Sequence, residues 1–427
     1  MARFIIRGRR PLDGVFEPAG NKNAALPMLA ACLLTEDPVV LDEVPAIADV
    51  AVMLELLAAL GVEVSRRGRR VSLCARGLRR TRLDDGLCRQ IRASILLAGP
   101  LAARMGRATL GPPGGDIIGR RRLDTHFQGL AALGIRAKTG ETFIFRRERL
   151  RGADLLLDEA SVTATEHLLM TACLAEGETV LFHAACEPHV TDLARLLVAM
   201  GASIEGLGTN RLTVRGGQPL HGATHRIAPD HVEIGSYLAA AAVTGGSLRV
   251  PVAPETRADL RVVEQAFRRL GMAWQALPDA VAVVPRTSAP RIRKDLGGMV
   301  PKVEDGVWPA FPSDLMSVAI VLATQAAGTV LFFEKMFESR MVFVDRLIGM
   351  GANVVICDPH RVVVSGPTRL HGGPLYSPDI RAGMAMLLAA LAARGESVIH
   401  QAEMIDRGYE AVDARLRALG ADIERVP

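Results

Sequence analysis

The apolar positions of the chain recur in two alternating kinds of helical stretch. The first kind ends in a hydrophobic residue followed by glycine: MLELLAALG to Gly61, GLAALG to Gly134, ARLLVAMG to Gly201, QAFRRLG to Gly271, VDRLIGMG to Gly351 and ARLRALG to Gly420. A short β-type run follows each glycine. Glycine just past a helix adopts the left-handed conformation that closes the last turn, so these positions predict six helix ends. The second kind comprises Asn23–Leu34, Arg92–Met105, Thr165–Ala175, Glu233–Val243, Asp314–Ala327 and Arg381–Ala393, rich in Ala, Leu and Met on nearly every side. A helix that is apolar all round is a buried helix. Several of these are followed by a turn and a short β run, as in GETVLFHA and GTVLFFEKM.

The order buried helix, strand, outer helix, strand pair therefore repeats six times. By their numbers the six glycines lie 67 to 80 residues apart, longer than solenoid repeats and consistent with a duplicated supersecondary unit. The widest spacing, Gly271 to Gly351, predicts a small insertion around Lys294–Val307. The pattern predicts an α/β fold of six units in two domains of three. A chain of 427 residues also exceeds what one compact core holds.

Composition narrows the class. Hydrophobic residues make up 49% and charged residues 23%, the balance of an ordered globular protein. Met1–Arg7 reads as a short strand and not as a signal peptide, and the apolar runs Ala93–Ala103 and Tyr237–Val243 contain glycine or are too short to span a bilayer. The expectation is a cytoplasmic protein with no membrane partner. The six cysteines are scattered, without CxxC or zinc-like histidine spacing, so reduced thiols and no metal or other cofactor are expected. A net charge of +5 suits an acidic small molecule as well as nucleic acid. With aromatics at 4%, stacking platforms are scarce and no nucleic-acid partner is expected.

Candidate chemistry concentrates in Leu110–Asp124, where four glycines, two prolines, Arg120–Arg122, Asp116 and Asp124 share one segment. Glycines let such a loop fold closely over a ligand, and an aspartate among arginines suits acid–base work on an anion. The buried helices begin with polar residues: Lys22-Asn23, Arg92, Ser161–Thr165, Asp230 and Glu233, Asp314, and Asp379 with Arg381. Helix N-termini favour anions, so Lys22, Arg92 and Arg381 beside them predict a site for phosphate and carboxylate.

These residues carry a resemblance. The segments GNKNAALP (20–27), VPAIADV (44–50), Arg92-Ala93-Ser94, Gly114-Gly115-Asp116, CEPH (186–189), PDHVE (229–233), FPSD (311–314), FESR (337–340), DIRA (379–382) and DRGYE (406–410) run through the whole chain in order. Together they resemble the enolpyruvyl transferases that open peptidoglycan synthesis. The resemblance implies a two-domain inside-out α/β barrel, with one domain at about residues 22–229 and the other at 1–21 plus 230–427, closing over the substrates. It also implies the partners, phosphoenolpyruvate and UDP-N-acetylglucosamine, and the reaction. The sugar 3-hydroxyl adds to C2 of phosphoenolpyruvate, C3 is protonated, and phosphate leaves.

Carried over by motif, Asp314 is the base that binds the 3-hydroxyl, and Lys22, Arg121 and Arg407 contact phosphate with Arg92 close by. Arg340 and Arg381 surround the reacting centre and the phosphoenolpyruvate carboxylate. Asn23, Asp124, Ser161, Val162 and Met336 line the nucleotide-sugar, and Asp49 and Glu187 lie in the site region. Asp116 stands where many members carry cysteine and others aspartate, and is expected to be the general acid. To donate, its carboxyl must be protonated, which closure over it favours and Arg120–Arg122 oppose. Arg122 and Glu159 depart from the residues often found beside the nucleotide. They leave open a paralogous transferase acting on another nucleotide or nucleotide-sugar hydroxyl.

Overall fold

The computed structural model describes residues 2–285 and 289–427. Met1, included in the expected first strand, lies outside the described residues. The chain divides into two compact units. One comprises Met1–Ala19, Ile117–Arg120 and Pro229–Pro427, and the other Gly20–Asp116 and Arg121–Ala228.

In the unit built on Gly20–Ala228, helices Lys22–Ala31, Ala98–Met105 and Val162–Cys173 lie inside, the last packing against both others. Three sheets surround them. The first orders Thr224–Arg226, Val39–Asp42, Arg70–Cys74 and Glu63–Arg67. The second orders Arg107–Leu110, Phe143–Arg147 and Ile135–Lys138. The third orders Ser203–Glu205, Arg211–Gly216, Gly177–Phe182 and Asp154–Leu156. The first and third have a parallel edge strand, whose place in the second is taken by a single parallel bridge from Arg82 to Thr109. Alternation sends Leu41, Val71, Leu73, Phe145, Leu181 and Val214 into one core with the helices.

The other unit repeats the plan. Helices His231–Thr244, Met316–Thr324 and Ile380–Ala392 pack pairwise inside three four-stranded sheets. The first strand, Arg3–Arg7, is central in one of these, antiparallel to both Glu396–His400 and Asp422–Val426 with Phe4 opposite Ile399 and Arg425. All nine residues of Met316–Thr324 are buried, which explains its lack of a polar face. Burying each large aliphatic side chain contributes about 1.5–3 kcal/mol. The outer helices are amphipathic; Pro254–Arg269 buries Leu260, Val263 and Phe267 and exposes its charges.

All six glycines have positive φ, from 79° at Gly271 to 105° at Gly61, as a helix stop requires. Two buried helices begin later than the expected spans. Arg92–Leu97 is a 3₁₀ turn and the α-helix begins at Ala98. Pro100 has no N–H to give Leu96, and its ring excludes that carbonyl from an α-turn. Likewise Ser313–Leu315, after Pro312, is 3₁₀, and the following helix ends at Thr324. The stretch around Lys294–Val307 exposes Leu296, Met299 and Val300 and then forms Lys302–Glu304, a parallel edge strand like Thr224–Arg226 and Asp154–Leu156.

Candidate active site

Asp314 lies in the 3₁₀ turn that opens helix Met316–Thr324, and two arginines hold it. Arg340 Nη2 reaches Oδ1 at 3.0 Å, while Arg381 reaches Oδ2 with Nε at 2.9 Å and Nη2 at 2.7 Å. Both arginines are buried and Asp314 is half-buried. Arg381 is the second residue of helix Ile380–Ala392, whose N-cap Asp379 accepts from the amides of Arg381 and Ala382. Ser317 Oγ donates to the Arg381 carbonyl at 3.1 Å, tying this helix to the one Asp314 opens. The Arg381 guanidinium sits 5.5 Å from the Tyr409 ring centroid, and Tyr409 Oη is 3.0 Å from Ser236 Oγ. Burial works against the Arg381 charge, but Asp314 and other nearby groups raise its pKa above the ordinary arginine value. His231, at the start of its helix, is pushed below the usual imidazole range by burial and Arg381, with Asp230 and Asp314 opposing. Arg407 is half-buried two residues before Tyr409, and Met336 is exposed two residues after the buried Glu334.

The other unit carries the remaining candidates. Lys22 is buried at the first position of its helix, with Nζ 2.9 Å from Asp49 Oδ2. Asn23 follows it, and Asn21 caps the helix by accepting from the amides of Asn23 and Ala24. Arg92 donates from Nη2 to the carbonyls of Arg121 at 2.5 Å and Arg122 at 3.1 Å. It thus grips the backbone at the far end of the glycine-rich loop. Burial, with the Arg121 charge beside it, lowers the Arg92 pKa to about 10, while Glu159 opposes. At Gly114 a Cβ would collide with the Arg89 carbonyl, and Gly115 has a φ of 102° with Arg92 and Arg121 beside it. Asp116, half-buried, follows two residues that only glycine fits. Beyond it, Ile117–Arg120 counts with the first unit: the Arg120 amide donates to Glu338 Oε2 at 3.0 Å, and the Ser339 amide to the Ile118 carbonyl at 3.1 Å.

Asp124 opens helix Asp124–Ala132, and Ser161 caps Val162–Cys173 through its Oγ and the Ala164 amide. Arg122 pairs with Asp124 at 3.0 Å and Asp158 at 2.9 Å, and Thr125 Oγ1 donates to Asp158 at 2.5 Å. The departure at Arg122 therefore serves ion pairs that tie the end of the loop to Asp124 and to Asp158, 36 residues on.

Behind these contacts lie two buried histidines that no sequence motif marked. The Gly99 amide donates to His167 Nε2 at 2.6 Å, so His167 Nδ1 carries the proton and gives it to His126 Nδ1 at 2.9 Å. His126 Nε2 then donates to Thr163 Oγ1 at 3.2 Å. Burial pushes His167 down to about 3, and burial, His167 and Arg92 push His126 well below the ordinary value. Both folded pKa values thus lie below the unfolded one near 6.5. Stability is full above that pH and lost as pH falls toward the folded values, because only the unfolded chain takes up the protons. Each histidine contributes a slope of about 1.4 kcal/mol per pH unit. Denaturant midpoints are expected to fall from roughly pH 7 to pH 5, less steeply in His167→Gln; equal slopes in the two proteins would contradict this.

Four of the buried helices have their first free amides occupied by their own caps, Asn21, Ser161, Asp230 and Asp379. The expectation that these N-termini serve as open anion sites is corrected accordingly. Glu233 is structural: it accepts from the Ala19 amide at 2.7 Å and pairs with Arg415 at 2.6 Å. Ser313, which bonds both Arg340 and Glu334, lies in the FPSD motif but was given no role there, and neither Glu334 nor Asp305 was assigned one.

Three buried helices inside three sheets, present twice, are the architecture of the enolpyruvyl transferases. The chain matches the family model described as EPSP synthase (3-phosphoshikimate 1-carboxyvinyltransferase) over residues 6–416. It superposes on the enolpyruvyl transferase NikO from Streptomyces tendae with a TM-score of 0.89 at 24% identity, covering 100% of this chain and 99% of that one. For an EPSP synthase from Acinetobacter baumannii the TM-score is 0.75 at 18% identity, with both chains fully covered. Among sequences, it is 53% identical over 426 residues to UDP-N-acetylglucosamine 1-carboxyvinyltransferase of Bradyrhizobium diazoefficiens, covering 100% of this chain and 98% of the relative. The protein of that name from Treponema denticola is 51% identical, with 99% of each covered. The chain belongs to the UDP-N-acetylglucosamine 1-carboxyvinyltransferase family.

Proposed function

We propose that this protein transfers the enolpyruvyl group of phosphoenolpyruvate to the 3-hydroxyl of UDP-N-acetylglucosamine in the cytoplasm, releasing phosphate, as the first committed step of peptidoglycan synthesis. The observation that carries the reading is Asp314 between the buried Arg340 and Arg381. Full-length identity to relatives of that name supports the substrates. A hydroxyl adding to an anionic enol phosphate needs a carboxylate to take its proton and fixed cations to hold the anion. An arriving phosphoenolpyruvate competes with Asp314 for the two guanidinium groups and leaves its oxygens to the sugar hydroxyl.

In this reading the sugar oxygen bonds to C2 and its proton passes to Asp314, while Asp116 protonates C3. C3 then returns a proton as the C2–O bond to phosphate breaks. Lys22, Arg121 and Arg407 neutralise the phosphate, with Arg92 holding the loop that carries Asp116. Asn23, Asp124, Ser161, Val162 and Met336 position the nucleotide-sugar. No helix among the described residues is long and apolar enough to cross a membrane, and nucleic acid has no part in the reaction. Incubation with phosphoenolpyruvate and a panel of UDP-sugars and nucleotides is expected to give the enolpyruvyl product by mass, with equimolar phosphate, for UDP-N-acetylglucosamine. Product from another acceptor alone would assign the chain to a different hydroxyl.

A further inference from the structure

Behind Asp314 lie two buried carboxyl groups that the reaction, as derived, does not use. Strands Lys302–Glu304 and Gly328–Phe333 run parallel with Glu304 opposite Phe333, so Asp305 and Glu334 leave the sheet side by side. Both are fully buried. Asp305 Oδ1 accepts from the Lys335 amide at 2.5 Å, whereas Oδ2 has no protein donor and the Glu334 carboxyl lies within hydrogen-bonding reach. The ammonium of Lys335 turns outward, to Glu304 at 3.6 Å. Two carboxylates this close in a buried place cannot both be ionised, and one proton between them satisfies Oδ2.

The pair connects to the base with a definite direction. Ser313 Oγ donates to Glu334, at 2.8 Å to Oε1 and 3.0 Å to Oε2, and the Phe337 amide donates to Oε1 at 3.1 Å. Because its hydrogen is committed to Glu334, Ser313 Oγ accepts from Arg340 Nε, at 3.3 Å, leaving Nη2 on Asp314. We propose that Asp305 and Glu334 hold one proton between them and, through Ser313, set the position of the Arg340 guanidinium against Asp314. Both are positioning residues.

Burial and the neighbouring Asp305 raise Glu334 to about 9, with Arg340 and the Ser313 hydrogen bond opposing. The His360 ring meets Glu334 at its backbone carbonyl, through Nδ1 at 2.7 Å. The pair therefore keeps its proton at neutral pH and loses it as pH rises through that value. A second negative charge then draws the guanidinium away from Asp314, and kcat falls on the alkaline side.

The kinetic part rests on the proposed function, so the first measurement is independent of it. Infrared spectra of the whole protein, titrated from neutral to alkaline pH, are expected to show a protonated-carboxyl band that disappears near pH 9. In the native-minus-Glu334→Gln difference spectrum, which cancels other buried carboxyls such as Glu166, that band remains; its absence there overturns the proposal whatever the substrate. In phosphate-release assays, Glu334→Ala is expected to lower kcat at least ~10-fold, with KM changed less than ~2-fold, as misplacement of a guanidinium implies. Glu334→Gln, whose amide can donate to Asp305 and accept from Ser313, restores kcat to within ~3-fold and lacks the alkaline fall. Native kcat in Glu334→Ala, or an unchanged alkaline fall in Glu334→Gln, would also refute it.

Discussion

Replacing Asp314 by asparagine is expected to lower kcat for phosphate release by about 10²- to 10⁴-fold, the range a positioned general base contributes. The amide is the same size and can still accept from an arginine, but it cannot take the hydroxyl proton. Arg340 and Arg381 are 2% and 5% exposed, so the substitution leaves two buried cations without their anion. Phosphoenolpyruvate supplies a replacement, and its KM is therefore expected to stay level or fall while kcat collapses. That split distinguishes loss of a base from loss of a binding group. Steady-state kinetics with each substrate varied would decide; a kcat within a few-fold of native would remove Asp314 from the base role.

The second large effect concerns Asp116. Asp116→Asn is expected to lower turnover by about 10²-fold or more at saturating substrates, since an amide cannot deliver a proton to C3. The same position is expected to set the response to the epoxide antibiotic fosfomycin, which alkylates a thiolate and for which a carboxylate is a poor nucleophile. The native protein is expected to show no time-dependent inactivation, whereas Asp116→Cys becomes sensitive. The cysteine is expected to be tolerated because the loop's path is set by backbone: Gly114 against the Arg89 carbonyl, Gly115 at positive φ, and the Arg92 grip on the carbonyls of Arg121 and Arg122. Covalent inactivation of the native enzyme, detected by intact mass, would contradict the reading.

Much of the candidate site is legible in the sequence because its motifs mark residue identity: FPSD for Asp314, DIRA for Arg381, FESR for Arg340 and GNKN for Lys22. Their partners are not legible. Arg340 and Arg381 lie 26 and 67 residues from Asp314, and no local spacing pairs them. Arg92 reads as a phosphate cation in sequence, yet its guanidinium holds backbone carbonyls 29 and 30 residues away. The helix N-termini read as open anion sites, but Asp230 and Asp379 fold back on their own amides. A polar residue at a helix start is compatible with either role, and only the surrounding geometry selects one.

The sequence by itself determined the six repeats, the buried and outer helices and the glycine at each outer helix end. These follow from 3.6-residue periodicity and from a positive φ that glycine adopts at little cost, both properties of a few neighbouring residues. Tertiary structure alone decided which strands pair and which charges meet. Arg3–Arg7 finds its two partners near the far end of the chain, and Asp305 meets Glu334 only because two parallel strands end in register. Pairing across such distances is decided when the core closes. The register that buries the most apolar surface then brings together polar groups that the linear pattern leaves independent.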